Sequence, residues 1–388
     1  MMRQPLILAI NPGSTSTKIA LFRGDEKIFA REIRHSSEEL ARFRTTADQF
    51  PFRLEMISRA LSEAEVDLRS LAAVVGRGGL TRPIPGGVYL VDDEMVEELL
   101  QEVHGSHASN LGAPLAREFA NRAGVSAYIV DSIAVDELDP VARISGLPEI
   151  ERRSVFHALN QKRRARQAAA ELGKRYEEVN LIVAHMGGGI TVGAHRKGRV
   201  VDVNNGVDGE GPMTPERSGG LPAAAVAELA VSGRYTLSEM LKRITGRSGL
   251  VAYFGTNDTR AVEAAALAGD SRKRLVLDAM IYQIAREIGA CAAVLCGEVD
   301  AIVLTGGLAH SRYITDQLER RVGFIAPVFI YPGEDEMAAL VEGVLRVLRG
   351  EEKVRRYGSR GQGGGAKQTF TEHGASAGTF SEAGGVQE

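Results

Sequence analysis

Three segments of the 388-residue sequence place small residues, hydroxyls and cations where an anion could be held. In Asn11-Pro12-Gly13-Ser14-Thr15-Ser16-Thr17-Lys18, glycine and short hydroxyl side chains let backbone N–H groups approach a phosphate, and Lys18 adds positive charge. It is not a Walker A loop: Gly-Lys-Ser/Thr is absent, and a strand follows where that loop needs a helix. An ordinary hairpin turn is the competing reading. In His185-Met186-Gly187-Gly188-Gly189, three successive glycines follow an apolar run that reads as a buried strand. Glycines weaken a strand, so close backbone approach to a ligand is the natural reason for them. A bulged turn beside a satisfied histidine is the alternative. Gly306-Gly307, after Ile302-Val303-Leu304-Thr305, can supply a further backbone contact. Two such loops facing each other across a cleft would hold both ends of a polyphosphate.

Other candidates carry charge. Asp131 ends the apolar run Ala127–Val130, where acidic metal ligands sit in open α/β sheets. Mg²⁺ needs only one or two such carboxylates, and a helix cap is the equal alternative for Asp131. Arg217 sits in the Gly/Pro-rich stretch Pro215–Gly220 without an obvious carboxylate partner. Its planar fork suits a phosphate or a carboxylate, whereas a solvated surface charge is the common outcome. His157 reads either as a ligand contact or as a core histidine. The basic run Lys162-Arg163-Arg164-Ala165-Arg166 reads as a solvated helix face.

Alternating strands and helices must position these groups, which makes the chain α/β. Leu6–Ile10, Lys18–Phe22 and Lys27–Ile33 are joined by stretches too short for a helix, so they form a meander. The pattern returns in Leu181–Ala184, Ile190–His195 and Arg199–Val203. A fold made of two similar domains follows. Helices are expected at Asp92–Val103, Val155–Leu172, Pro222–Ala230, Leu237–Ile244, Thr259–Leu267, Leu275–Leu295 (as a buried helix) and Glu334–Leu348. The segment from Tyr357 to Glu388 is rich in Gly, Ser, Thr and Ala and is expected to be disordered.

Bulk properties narrow the class. The length suits two domains. A net charge of −3 offers no field for nucleic acid or anionic membrane, and 44% hydrophobic residues are ordinary for a soluble globular protein. No signal peptide or membrane span is expected. Cys291 and Cys296 read as small core residues of a reducing compartment, so the cytoplasm is the expected location.

Taken together the motifs resemble the acetate kinase family, within the superfamily of acetate and sugar kinases, chaperone ATPases and actin. Asn11–Lys18 resembles that family's Asn-x-Gly-Ser-Ser-Ser-x-Lys opening, Phe156-His157 its Gly-Phe-His, His185–Gly189 its His-Leu-Gly-Asn-Gly, and Thr214–Gly219 its Thr-Arg-Ser-Gly. Phe156-His157-Ala158-Leu159-Asn160-Gln161-Lys162 and His185-Met186-Gly187-Gly188-Gly189 are more similar still to the family's butyrate-phosphorylating branch. The likeness runs from about residue 5 to 355. It implies two ribonuclease-H-like domains with a nucleotide cleft between them: residues 1–152, completed by a C-terminal helix at 333–352, and residues 153–332.

The resemblance also implies roles. ATP/ADP and Mg²⁺ are the expected cofactors, and a short-chain carboxylic acid the acceptor. Butyrate is expected; acetate, propionate or isobutyrate are alternatives, as is a non-catalytic nucleotide switch. Asn11, Lys18, His157, His185 and Arg217 are expected around the transferred phosphoryl group. Ser14, Thr15, Gly187, Gly188, Gly189, Asp258, Arg260, Gly306 and Gly307 are expected at the nucleotide, and Arg77 or Arg82 at the substrate carboxylate. Asp131, Asp335 and Glu336 are expected near the metal. A homo-oligomer without nucleic-acid or membrane partners completes the expectation. An ionised carboxylate acceptor needs no general base, so positioning and charge neutralisation would do the work.

Overall fold

The computed structural model describes residues 4–358. Two sheets organise them. The first contains β1 (Leu6–Pro12), β2 (Ser16–Arg23), β3 (Glu26–Arg34), β4 (Ala73–Arg77), β5 (Val88–Leu90), β6 (Ser126–Val130) and the short β12 (Arg355–Arg356), in the order β12-β5-β6-β4-β1-β2-β3. The second contains β7 (Asn180–Met186), β8 (Ile190–Arg196), β9 (Arg199–Val203), β10 (Ala301–Gly306) and β11 (Val328–Pro332), in the order β11-β10-β7-β8-β9.

One topology therefore occurs twice. In each sheet three consecutive strands form an antiparallel meander, and two later strands add in parallel beside the first. This is the duplicated ribonuclease-H-like arrangement. The short turns behave as their residues demand: Lys197 and Gly198 both take positive φ between β8 and β9, as a right-twisted hairpin requires.

The central strands are apolar on both faces because both faces are covered. On one face of the first sheet, Leu8, Ile10, Ile19 and Leu21 pack with Ile57 and Leu61 of the helix Phe50–Glu63 and with Phe119 of Gly112–Ala123. On the other, Ile7, Ala9, Ala20 and Phe22 pack with Leu340, Val341 and Val344 of Glu336–Leu348. The second sheet is covered likewise. Ile182 and Ala184 meet Leu277, Ile281 and Ile284 of Ser271–Val294, and Leu181 and Val183 meet Ala165, Ala168 and Ala169 of Ala158–Glu171. The alanines let this last helix lie close to its sheet. It also touches Glu336–Leu348, so the two helices lie between the sheets. Arg163 clamps Glu342 across them with paired bonds of 2.6 and 2.9 Å.

Local signals set most helix ends. Asp92 caps Asp93–Leu100 through Met95 N, Asp258 caps Thr259–Leu267, and Asp335 caps Glu336–Leu348 through Ala338 N. Several expectations fail. The long helix runs Ser271–Val294 and buries only one stripe, with Leu275 and Tyr282 exposed. Cys296 lies exposed past its end, while Cys291 is buried. Tyr357, assigned above to the tail, is buried in the first core. The rest of that segment, from Ser359, lies outside the described residues. The basic run is not a solvated face: Lys162 is buried against Glu137 at 2.8 Å, and Arg163 and Arg166 are both paired.

Candidate active site

The turn between β1 and β2 is shaped from beneath by Arg53. This arginine is fully buried and has no carboxylate partner among the described residues. Its Nη1 donates to Gly13 O at 2.9 Å, Ser16 O at 3.2 Å and Thr17 Oγ1 at 2.9 Å, and its Nη2 to Ser14 O at 3.4 Å. Gln49 Oε1 accepts from Nε and Nη2. The turn's carbonyls are thereby drawn inward, and the Ser14 and Thr15 amides keep no protein acceptor among the described residues. Burial lowers the guanidinium to about 10, so it stays charged at neutral pH and leaves a positive centre behind the turn. Lys18 stands exposed on β2 opposite Asn11.

The glycine loop after β7 meets two histidines and an arginine. The rings of His157 and His185 stack at 3.8 Å between centroids and 11° between planes. Arg217 is anchored by its Nη1 to Gly206 O and by its backbone N–H to Thr214 Oγ1 at 2.9 Å. Thr214 Oγ1 in turn donates to Gly188 O at 2.6 Å, which ties the arginine's loop to the glycine loop. A Cβ on Gly189 would overlap Arg217 Nη1 and crowd His157 Cε1, so glycine there makes room for the guanidinium. Gly306, with φ +88°, brings the end of β10 against Met186, and Gly307 faces open space. Burial and the neighbouring His185, Arg217 and Arg77 hold His157 well below the usual histidine range. Burial, then Arg77, pushes His185 down to about 3. Both rings are neutral at physiological pH. Burial lowers Arg217, with Glu216 opposing, and lowers Arg77 to about 10, with Glu334 opposing.

The start of Glu336–Leu348 closes this group. Glu336 pairs with Arg77 through Oε1 and accepts from Asn11 Nδ2 at 2.6 Å through Oε2. Glu334 Oε2 lies 3.6 Å from His185 Nε2 and is half exposed. Asn11, Lys18, Glu334, Asp335 and Glu336 line one cavity of about 440 Å³. Among the ten buried side-chain atoms without a hydrogen-bond partner in the described residues, three lie here: Arg77 Nε, Arg217 Nε and His185 Nδ1. Buried polar nitrogens without partners are costly, and the two guanidinium nitrogens are donors that an oxyanion could satisfy.

Asp131, Arg82, Asp258 and Arg260 stand apart, and Asp335, though it lines the cavity, is held by other partners. Asp131 is buried, with one oxygen accepting from Gly87 N at 2.7 Å and the other from Arg166 at 3.2 Å, so its charge is already matched by a guanidinium. Arg82 is held by Glu94, Glu98 and the Tyr357 carbonyl, its guanidinium 4.0 Å from the Tyr357 ring centroid, so it is a structural clamp. Asp335 turns to Lys27 at 2.8 Å and to its helix cap. Arg260 is solvent-exposed, and Asp258 accepts its backbone N–H as a cap. One participant escaped the motif reading. Arg53 sits on the apolar stripe of its helix with Ile57, Ala60 and Leu61, and a lone cation on such a stripe is a visible signal.

The model of the Acetokinase family matches residues 149–322. Butyrate kinase 1 of Clostridium acetobutylicum is 54% identical over 351 residues, 90% of this chain and 99% of that protein. Butyrate kinase 2 of the same organism is 52% identical over the same span. Among solved structures, Porphyromonas gingivalis acetate kinase superposes with a TM-score of 0.73 at 20% identity, over 89% of this chain and 100% of that one. A propionate kinase from Francisella tularensis gives 0.67 at 19% identity, over 87% and 98%. The two structural matches speak to the fold alone.

Proposed function

We infer that this chain, which belongs to the acetokinase family and is similar along nearly its whole length to butyrate kinases, transfers the γ-phosphoryl group of ATP to butyrate, giving butanoyl phosphate and ADP reversibly. The observation that carries the reading is the convergence of Arg77, Arg217, His157 and His185, with three buried nitrogens lacking partners. A nucleotide clamp needs none of them; a phosphoryl group carrying spread negative charge needs fixed donors all round it.

The roles follow from chemistry. The acceptor carboxylate is ionised at pH 7 and attacks without losing a proton. Arg77 meets that carboxylate. Arg217 supplies a planar charge to the phosphoryl oxygens, and the neutral histidines add N–H donors. The Asn11–Lys18 turn, with Arg53 behind it, receives the phosphate chain on one side, and Gly187–Gly189 with Gly306-Gly307 receive it on the other. This puts the nucleotide between residues 1–152, completed by 333–352, and residues 153–332. Mg²⁺, when bound, neutralises charge on the phosphates. Glu334 and Glu336 border the cluster and match the one or two carboxylates such an ion takes.

The finer setting is part of the same reading. ATP dependence places the protein in the cytoplasm, where that nucleotide is. A homo-oligomer is supported by the helix Ala223–Val231, which is apolar yet buries none of its residues. Hydroxylamine tests the activity, because it converts an acyl phosphate to a stable hydroxamate. Butanoyl hydroxamate should form only with ATP and butyrate together. Its absence, with ADP released regardless of the acid, would sink the assignment.

A further inference from the structure

A line of buried polar groups runs from the second core to His157. Tyr176 OH lies 2.8 Å from His195 Nδ1, and His195 Nε2 lies 3.0 Å from Gln161 Oε1. Gln161 Nε2 donates to Thr191 O at 2.9 Å and to Thr191 Oγ1 at 2.8 Å. Thr191 Oγ1 lies 2.9 Å from His157 Nδ1. Gln161, Thr191 and His195 are completely buried, and Tyr176 nearly so.

The direction of every proton in this line follows from one fixed point. A backbone carbonyl only accepts, so the Gln161 atom facing Thr191 O is the amide nitrogen. Its oxygen therefore faces His195 Nε2, which must donate. Burial, then the nearby Lys162 and Arg166, holds His195 well below the usual histidine range and so neutral. Its Nδ1 is then bare and takes the Tyr176 hydroxyl proton. At the other end, Thr191 Oγ1 already accepts from Gln161. Its own proton has a single remaining acceptor among the described residues, His157 Nδ1. The opposite arrangement would bury a hydroxyl proton with no partner, which is unfavourable. His157 Nδ1 is therefore the accepting nitrogen, and Nε2 carries the ring's proton. That nitrogen has no partner among the described residues.

We propose that Tyr176, His195, Gln161 and Thr191 form a positioning relay that sets His157 as the Nε2–H tautomer, so that a neutral ring presents a proton, not a lone pair, to a phosphoryl oxygen. Thr191 and Gln161 act through His157, and Tyr176 acts through His195. This deepens the phosphoryl-transfer reading of the preceding subsection and rests on it for its purpose, although the tautomers themselves do not.

The test is the ¹⁵N spectrum of the histidine-labelled full chain without substrate, with His157 and His195 assigned by His157→Gln and His195→Gln. Both rings should show protonated Nε2 and bare Nδ1 from pH 6 to 8. Thr191→Val should lose that signature at His157 and lower kcat by about 10²-fold, the scale of one lost fixed donor, with KM for ATP little changed. Thr191→Ser, which keeps the hydroxyl, should restore both. A protonated Nδ1 on either ring of the wild-type chain overturns the relay, and that reading needs no variant to fold. So does a folded Thr191→Val chain whose His157 signature is unchanged, whatever its kcat. Because the spectrum is read without substrate, a failure of the butyrate assignment leaves this result standing, and the reverse also holds.

Discussion

Acid should weaken the fold well above the carboxylate range, because His157, His185 and His195 are buried neutral. The sign follows from linkage. In the unfolded chain each ring titrates near 6.5, whereas in the folded chain it stays unprotonated far below that, His185 down to about 3. Above pH 7 neither state binds the proton and nothing is lost. As pH falls through 6.5 only the unfolded chain takes it up, so stability drops. Between pH 7 and 5.5 each ring costs about 1 kcal/mol, and the three together roughly 3–4 kcal/mol. Burial lowers His35 and His107 too, which adds to the slope in the same direction. Against the usual 5–15 kcal/mol of a folded domain that is a large fraction. Urea unfolding at half-unit pH steps measures it. The slope near pH 5.5 should correspond to about three or more protons bound on unfolding, and His185→Gln should reduce it by about one. Stability that stays flat from pH 7 to 5.5 would show that these rings charge in place.

Other substitutions separate chemistry from scaffold. Arg217→Ala should lower kcat by about 10²–10³-fold, and Arg217→Lys should not rescue fully, because a point charge lacks the planar fork. Near-normal kcat in Arg217→Ala would remove it from the site. Arg53→Gln should raise KM for ATP and lower the melting temperature together, since the carbonyls of the β1–β2 turn lose their common donor; an unchanged KM would mean that the turn does not face phosphate. Tyr357→Ala should cost roughly 3 kcal/mol, as a truncated buried aromatic does, while leaving kcat within about two-fold of the parent value by the same structural reasoning; lost turnover in a folded variant would return Arg82 to the substrate site.

What could be read from the sequence was local. Each strand–glycine turn–strand unit spans under twenty-five residues, and its alternation, turn residues and caps lie side by side, so the duplicated fold was visible before any contact was known. Asn11 and His185 were legible for the same reason, since each sits in or beside such a turn, whereas Arg217 showed in its Gly/Pro-rich loop and His157, at the cap of Ala158–Glu171, in the motif it shares with the family. Charges were misread where their partners are distant. Arg82 is claimed by Glu94, Glu98 and Tyr357, Asp131 by Arg166, and Lys162 by Glu137, and none of these pairings leaves a mark on the flanking residues. The helix Ser271–Val294 was read as wholly buried because its composition is apolar, although only one stripe meets the second sheet. Arg53 was missed although its place on an apolar stripe could have drawn notice, because its targets are carbonyl oxygens, which every sequence has.

The acceptor is settled most directly by kcat/KM for ADP release across straight-chain acids from two to six carbons. The carboxylate must reach the same phosphorus in each, so only contact with the acyl tail discriminates. At about 0.8 kcal/mol per buried methylene, two more methylenes are worth roughly 1.6 kcal/mol, or about 15-fold. Butyrate should exceed acetate by at least about ten-fold on that scale, and the gain should stop or reverse once the tail overfills its pocket. Equal or better kcat/KM for acetate would contradict the butyrate assignment, and ADP release indifferent to every acid would contradict carboxylate phosphorylation itself.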